Sequence, residues 1–118
     1  MFLIYTLADL RCLRNAQGAP PGLLDEIERS LREVHLATGA TEPLDAFTMQ
    51  PYGGVLILQA GDGPSVYTLV DDSDGLIDAL PPWIGQRASG DHVTYQVLHL
   101  RGKNRQFRLY LPHGVAKR

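Results

Sequence analysis

Four consecutive apolar residues, Val55-Leu56-Ile57-Leu58, constrain this chain more than any other stretch. Side chains on a strand alternate between two faces, so a run with no polar position needs cover on both. Val55 to Ala60 is therefore expected as a central strand. A strand from Ser65 to Val70 should lie beside it, joined through Gly61-Asp62-Gly63-Pro64 as a hairpin.

The clearest helix signal lies upstream. Leu24, Ile27, Leu31 and Val34 form one stripe, which predicts a helix from Leu23 to Thr38. Asp25, Glu26 and Glu28 then fall in its first turn, where the helix dipole favours negative charge. Asp25–Arg29 and Glu28–Arg32 are acid-before-base pairs one turn apart, each worth about 0.3–0.5 kcal/mol. Gly39 supplies a left-handed stop. Leu3, Leu7, Leu10 and Leu13 trace a second helical face over residues 2–14. Phe2, Ile4 and Tyr5 blur that face, so a short strand running into a helix is the alternative there. Asn15 to Gly22 is rich in breakers and reads as a loop.

Between the prolines at 43 and 51, Leu44 to Met49 reads as a short strand. Ser73 can cap a short helix from Asp74 to Leu80, which Pro81-Pro82 would end. A polar loop follows over residues 85–91. The chain then reads as a last hairpin, His92 to Leu100 and Arg105 to Leu111, with its turn in Arg101-Gly102-Lys103-Asn104. A two-residue loop would pair Leu98 with Phe107. A four-residue loop would pair Leu100 with Phe107 and Leu98 with Leu109. Either keeps Leu98, Leu100, Phe107, Leu109 and Leu111 on one face, whereas a three-residue loop would split them. Tyr95, Val97, His99, Gln106, Arg108 and Tyr110 take the opposite face.

At 118 residues this is one domain of the α+β class. The expected architecture is an antiparallel sheet of four to five strands with two to three helices, in the order α-α-β-β-β-α-β-β. That order is loosely similar to the order in small acidic secretion chaperones.

Charge is segregated along the chain. Residues 1–85 hold four basic and twelve acidic residues, a net of −8, and residues 86–118 hold seven basic and one acidic, a net of +6. Opposed fields of this kind orient charged partners. Arg101, Lys103, Arg105 and Arg108 cluster on the final hairpin, with Tyr95 and Tyr110 between them. His113, Lys117 and Arg118 extend the patch. A basic ribbon of this kind could enter a major groove or stack on unpaired bases.

Motifs for chemistry are weak. His92 and His99 have opposite parity on one predicted strand and cannot share an ion. Asp71-Asp72-Ser73-Asp74-Gly75 begins like a calcium loop but puts Trp83 where a bidentate glutamate belongs. Cys12 adjoins an apolar face, where free thiols are usually inert core residues. No serine lies in a Gly-x-Ser-x-Gly elbow, and no phosphate loop is present. No metal or cofactor is expected.

The reading that follows is a small non-enzymatic protein-binding module, of the inhibitor, immunity-protein or secretion-chaperone kind. Its contact surface would comprise Tyr95, Arg101, Lys103, Arg105, Arg108 and Tyr110, with Trp83 either in that surface or plugging the core. The partner would be a protein, with an acidic surface favoured. Two alternatives stand beside it: a nucleic-acid-binding protein using the basic hairpin, and a small enzyme with a site assembled from distant residues. The apolar run Phe2 to Leu7 suggests surplus surface that a homodimer would bury. That run lacks a basic leader, no segment is long enough for a membrane span, and a lone cysteine suits a reducing cytoplasm.

Overall fold

The computed structural model describes residues 2–15, 20–58, 76–86, 90–102 and 105–112. The expected strand at 65–70, its hairpin turn, the Ser73 cap and the calcium-like stretch all lie outside the described residues. So do Lys103, His113, Lys117 and Arg118.

Strand β1 (Phe2–Ile4) runs into helix α1 (Leu7–Arg14), the alternative raised by the blurred N-terminal pattern. Thr6 makes the junction. Its hydroxyl accepts the Asp9 N–H at 3.1 Å, and the Asp9 carboxylate accepts the N–H of Tyr5 at 2.9 Å and of Thr6 at 3.1 Å. This capping box satisfies donors that the first helical turn leaves free. Leu10 and Leu13 turn inward, while Cys12 is exposed rather than part of the core.

Helix α2 (Pro21–Thr38) begins two residues earlier than its apolar stripe suggests. Pro21 suits the first helical position, where no N–H is needed. Asp25, Glu26 and Glu28 consequently lie beyond the first turn. Glu28 instead accepts from Arg32 at 2.8 Å and sits 3.7 Å from Arg14 of α1. Gly39, at φ 68°, ends the helix as expected.

Leu44 to Met49 is not a strand. Leu44–Ala46 form a single 3-10 turn, and Thr48 makes only an isolated bridge to Thr6. Phe47 and Met49 are buried, so the apolar pattern there reports burial and not pairing. Strand β2 (Gly53–Ile57) is buried along its whole length and has a neighbour on each side. It is an interior strand, as its unbroken apolar run requires.

The expected helix at 74–80 is overturned over its described part. Strand β3 (Leu76–Gln86) pairs with β4 (His92–Arg101) from Leu76↔Arg101 to Gln86↔His92. A seven-residue helix is marginal on its own, and a ten-residue strand alongside offers a full ladder. Pro81-Pro82 does not stop this strand. The register shifts between Leu80 and Trp83, and β3 is an edge of the sheet among the described residues. Bulges and edges are where a strand tolerates proline.

Strand β5 (Gln106–Pro112) returns from β4 in the four-residue register, with Leu100↔Phe107 and Leu98↔Leu109. It then lies parallel to β2, from Gly53↔Gln106 to Ile57↔Tyr110. The five-stranded sheet, in the order β1-β2-β5-β4-β3, is therefore mixed: mostly antiparallel, with one parallel pair. The fold is α+β with two α-helices, and the described elements run β-α-α-β-β-β-β. The order resembling secretion chaperones is not met.

Two apolar clusters sandwich the sheet. On one face Leu23, Leu24, Ile27 and Leu31 of α2 and Leu10 and Leu13 of α1 meet Val55, Ile57, Tyr95, Val97 and Tyr110. On the other, Leu56, Leu58, Leu100, Phe107, Leu109 and Leu111 are buried together, with Tyr5 and Leu98 packed against them. Most of the N-terminal apolar run is absorbed here: Ile4 is buried, and Phe2, Tyr5 and Leu7 pack on these clusters.

Candidate functional site

The hairpin face expected to meet a partner is the face beneath the helices. Tyr95 and Tyr110 are buried there and their rings stand edge to face at 6.5 Å. Trp83 lies 6.2 Å from Tyr95. Its indole fills space left by two glycines: a Cβ would stand 3.3 Å from it at Gly22 and 2.0 Å at Gly85. Trp83 is partly buried and packs against the helix-side cluster, while Tyr95 and Tyr110 are buried within it.

Coverage by α2 stops part-way along that face, and the strands register where. On β4 the inward residues pass from Tyr95 and Val97 to His99. On β5 they pass from Tyr110 to Arg108 and Gln106. The polar end opens into a cleft of about 210 Å³ between α2 and the sheet, with Ser30, Val34, Met49 and Val55 among its walls. His99 Nε2 and Gln106 Oε1 are 3.0 Å apart at its edge. This change of polarity along two adjacent strands is the sequence signal that could have located the cleft.

The described arginines of the hairpin have partners within the chain. Arg101 Nη2 lies 2.7 Å from the Asp78 carboxylate on β3. The Arg105 guanidinium sits 5.1 Å from the centre of the Phe107 ring and donates to Tyr5 Oη at 3.4 Å. Arg108 hydrogen-bonds the Tyr110 phenol. The turn is closed by the Gly102 N–H donating to the Arg105 carbonyl at 2.9 Å. An exposed pair such as Arg101–Asp78 adds at most about 1 kcal/mol to stability, but it removes an unpaired charge from the tip.

Two of the exposed large apolar side chains among the described residues share one strand, β3. Ile77 and Ile84 are 60% and 63% exposed. Ile77 stands opposite Leu100 and Ile84 opposite Thr94, which places both on the face away from the helices. Ala79, between them on that face, is exposed too. Asp78 is the single charged residue of the strand.

Burial pushes the Tyr110 phenol above its ordinary value of 10.0; the Arg108 hydrogen bond pulls it back, and the Glu26 charge pushes it further up. The folded protein thus keeps a proton that the unfolded chain releases. Stability from this group is complete below about pH 10 and is lost as pH rises through the folded value. At neutral pH, Tyr110→Phe should cost about 1 kcal/mol for the lost hydrogen bond. The gap to wild type should narrow above pH 10, and urea melts from pH 8 upward would measure it. A gap that does not vary with pH contradicts this.

Among the described residues no three histidine, cysteine, aspartate or glutamate side chains gather as a metal site, and no helix is long and apolar enough to cross a membrane. The chain matches no protein-family model, no curated protein and no solved structure.

Proposed function

We propose that this chain is a non-catalytic protein-binding module that takes up an extended segment of its partner along the edge and outer face of β3. The observation that carries this is the exposure of Ile77 and Ile84 on a strand that is an edge of the sheet among the described residues and carries one charge. Edge strands are ordinarily guarded by charges, bulges or prolines, because their unpaired N–H and C=O groups recruit other strands. Here Asp78 is engaged by Arg101, and Pro81-Pro82 interrupts the edge at one point only. Short ladders remain on either side. The proline break limits how far a sheet can extend, which suits a single peptide better than open-ended stacking. Main-chain bonds would supply affinity, and alternate apolar side chains of the partner would meet Ile77 and Ile84.

One feature supports a binding module over the nucleic-acid alternative. The described hairpin arginines are engaged or turned toward the helix-side cleft, and among the described residues they make no outward stripe for phosphates.

The test is selection of peptides from a displayed random library, followed by affinity measurement. Wild type should select extended peptides with alternating apolar residues. Ile77→Lys with Ile84→Lys should weaken them at least ~10-fold, or about 1.4 kcal/mol, with an unchanged circular dichroism spectrum, since both sites are exposed. Undiminished binding by the double variant sinks the reading. Salt-dependent binding to mixed-sequence DNA or RNA would replace it with the nucleic-acid alternative. Sedimentation showing a dimer that the same double variant dissociates would make a second copy the occupant of this edge.

A further inference from the structure

We propose that the helix-side cleft binds a small carboxylate carried on a short apolar chain, with the Arg108 guanidinium as its anchor. This site is separate from the β3 edge and does not depend on it.

Arg108 lines the cleft, and its hydrogen bond runs to the Tyr110 phenol. A guanidinium carries five N–H donors in a planar fork. Among the described residues no carboxylate forms an ion pair with Arg108. A charged donor at a cleft wall, oriented by a buried ring, is preorganised for a planar oxyanion. His99 and Gln106 stand beside it on the neighbouring stretch of sheet, and Ser30 of α2 lines the same cleft.

The remaining wall selects the rest of the ligand. Val34, Met49 and Val55 present apolar surface. A volume of about 210 Å³ equals that of about seven waters at ~30 Å³ each. That admits a carboxylate with a branched chain of a few carbons. Apolar walls also favour an organic acid over inorganic phosphate, whose oxygens all need donors. Glu26 is the nearby charge of opposite sign. Its Oε2 is buried without a hydrogen-bond partner, and its charge reaches Tyr110, but it is not part of the cleft wall. The charge that a ligand meets is therefore that of Arg108.

Such a carboxylate has two sources: a free organic acid or the C-terminus of a peptide. Isovalerate and N-acetyl-glycyl-valine serve as probes, with isovaleramide and the dipeptide amide as neutral controls. Titrations are followed by the backbone amides of Gly53, Gly54 and Ser30 in nuclear magnetic resonance spectra at constant ionic strength. Isovalerate should give saturable shifts, and isovaleramide none. Arg108→Gln should weaken binding at least ~10-fold. Ser30→Glu leaves the sheet untouched, places a like charge on the cleft rim, and should weaken binding comparably. If the dipeptide acid binds ~10-fold tighter than isovalerate, the site reads a peptide C-terminus; equal affinity assigns it to free acids. Both results support the Arg108 anchor. No saturable shift with either acid, an equal response to the amides, or unchanged affinity in both variants overturns it. Saturable binding of isoamylamine in place of the acids would make Glu26 the anchor and also overturns it.

Discussion

Replacing Gly53 with alanine is expected to cost about 4 kcal/mol or more, a loss at the exceptional end for single substitutions. Small domains have about 5–15 kcal/mol in total, so the variant should be largely unfolded on warming. Gly53 sits at φ 153°, and a Cβ there would stand 1.8 Å from the Gln106 carbonyl oxygen. Gly53 and Gln106 are in register in the parallel pair of β2 and β5. The obstructing atom is backbone, so no side-chain rotation relieves the clash. The Gln106 N–H also donates to the Tyr52 carbonyl at 3.0 Å, and the Gly53 N–H to the Met49 carbonyl at 2.9 Å. The turn is held from both sides, and β2 would have to leave β5. Gly39→Ala is the control. Its φ of 68° also favours glycine, but nothing lies within 4 Å of the added carbon. It should cost only the left-handed strain of about 1–2 kcal/mol. Urea unfolding of both variants measures the difference. Similar losses for the two would contradict the close approach of β2 to β5.

Phe107→Ala should cost about 3–5 kcal/mol, as for a large aromatic removed from a packed interior. Phe107 is buried on the sheet face that the helices do not cover, and it meets the Tyr5 ring edge to face at 6.4 Å. Its loss opens a void among Leu56, Leu100, Leu109 and Leu111 and strands the Arg105 guanidinium above it. Leu36→Ala, at a site 78% exposed on α2, should stay within about 0.5 kcal/mol of wild type. Thermal melts of both test whether the second face is core. A loss below ~1 kcal/mol at Phe107 would show that it is not.

Much of the fold was legible where one physical signal dominated. The unbroken Val55 to Leu58 run demanded two covered faces and has them. Parity alone kept Leu98, Leu100, Phe107, Leu109 and Leu111 together, and the final hairpin adopts one of the two registers that parity allowed. The errors arose where local and long-range preferences compete. Leu76, Ile77 and Leu80 satisfy helical spacing as well as strand pairing, and only the presence of β4 decides between them. Parity could group the hairpin side chains but could not say which group faces the helices. Tyr95 and Tyr110 lie inside, beneath the helices, a side that parity alone does not choose. Their neighbours Gln106 and Arg108 stayed near water because α2 ends its coverage before reaching them. The parallel pairing of β2 with β5 had no local trace, since it depends on where β4 turns back.

Amide hydrogen exchange of the protein, alone and with a selected peptide, tests the β3 interface most directly. Strand addition should slow exchange at amides of β3 that point away from β4, on one or both sides of Pro81-Pro82, and leave the exposed face of α2 unchanged. Protection confined to α2 or to the final hairpin turn, with β3 exchanging as before, would contradict the β3 edge as the binding surface.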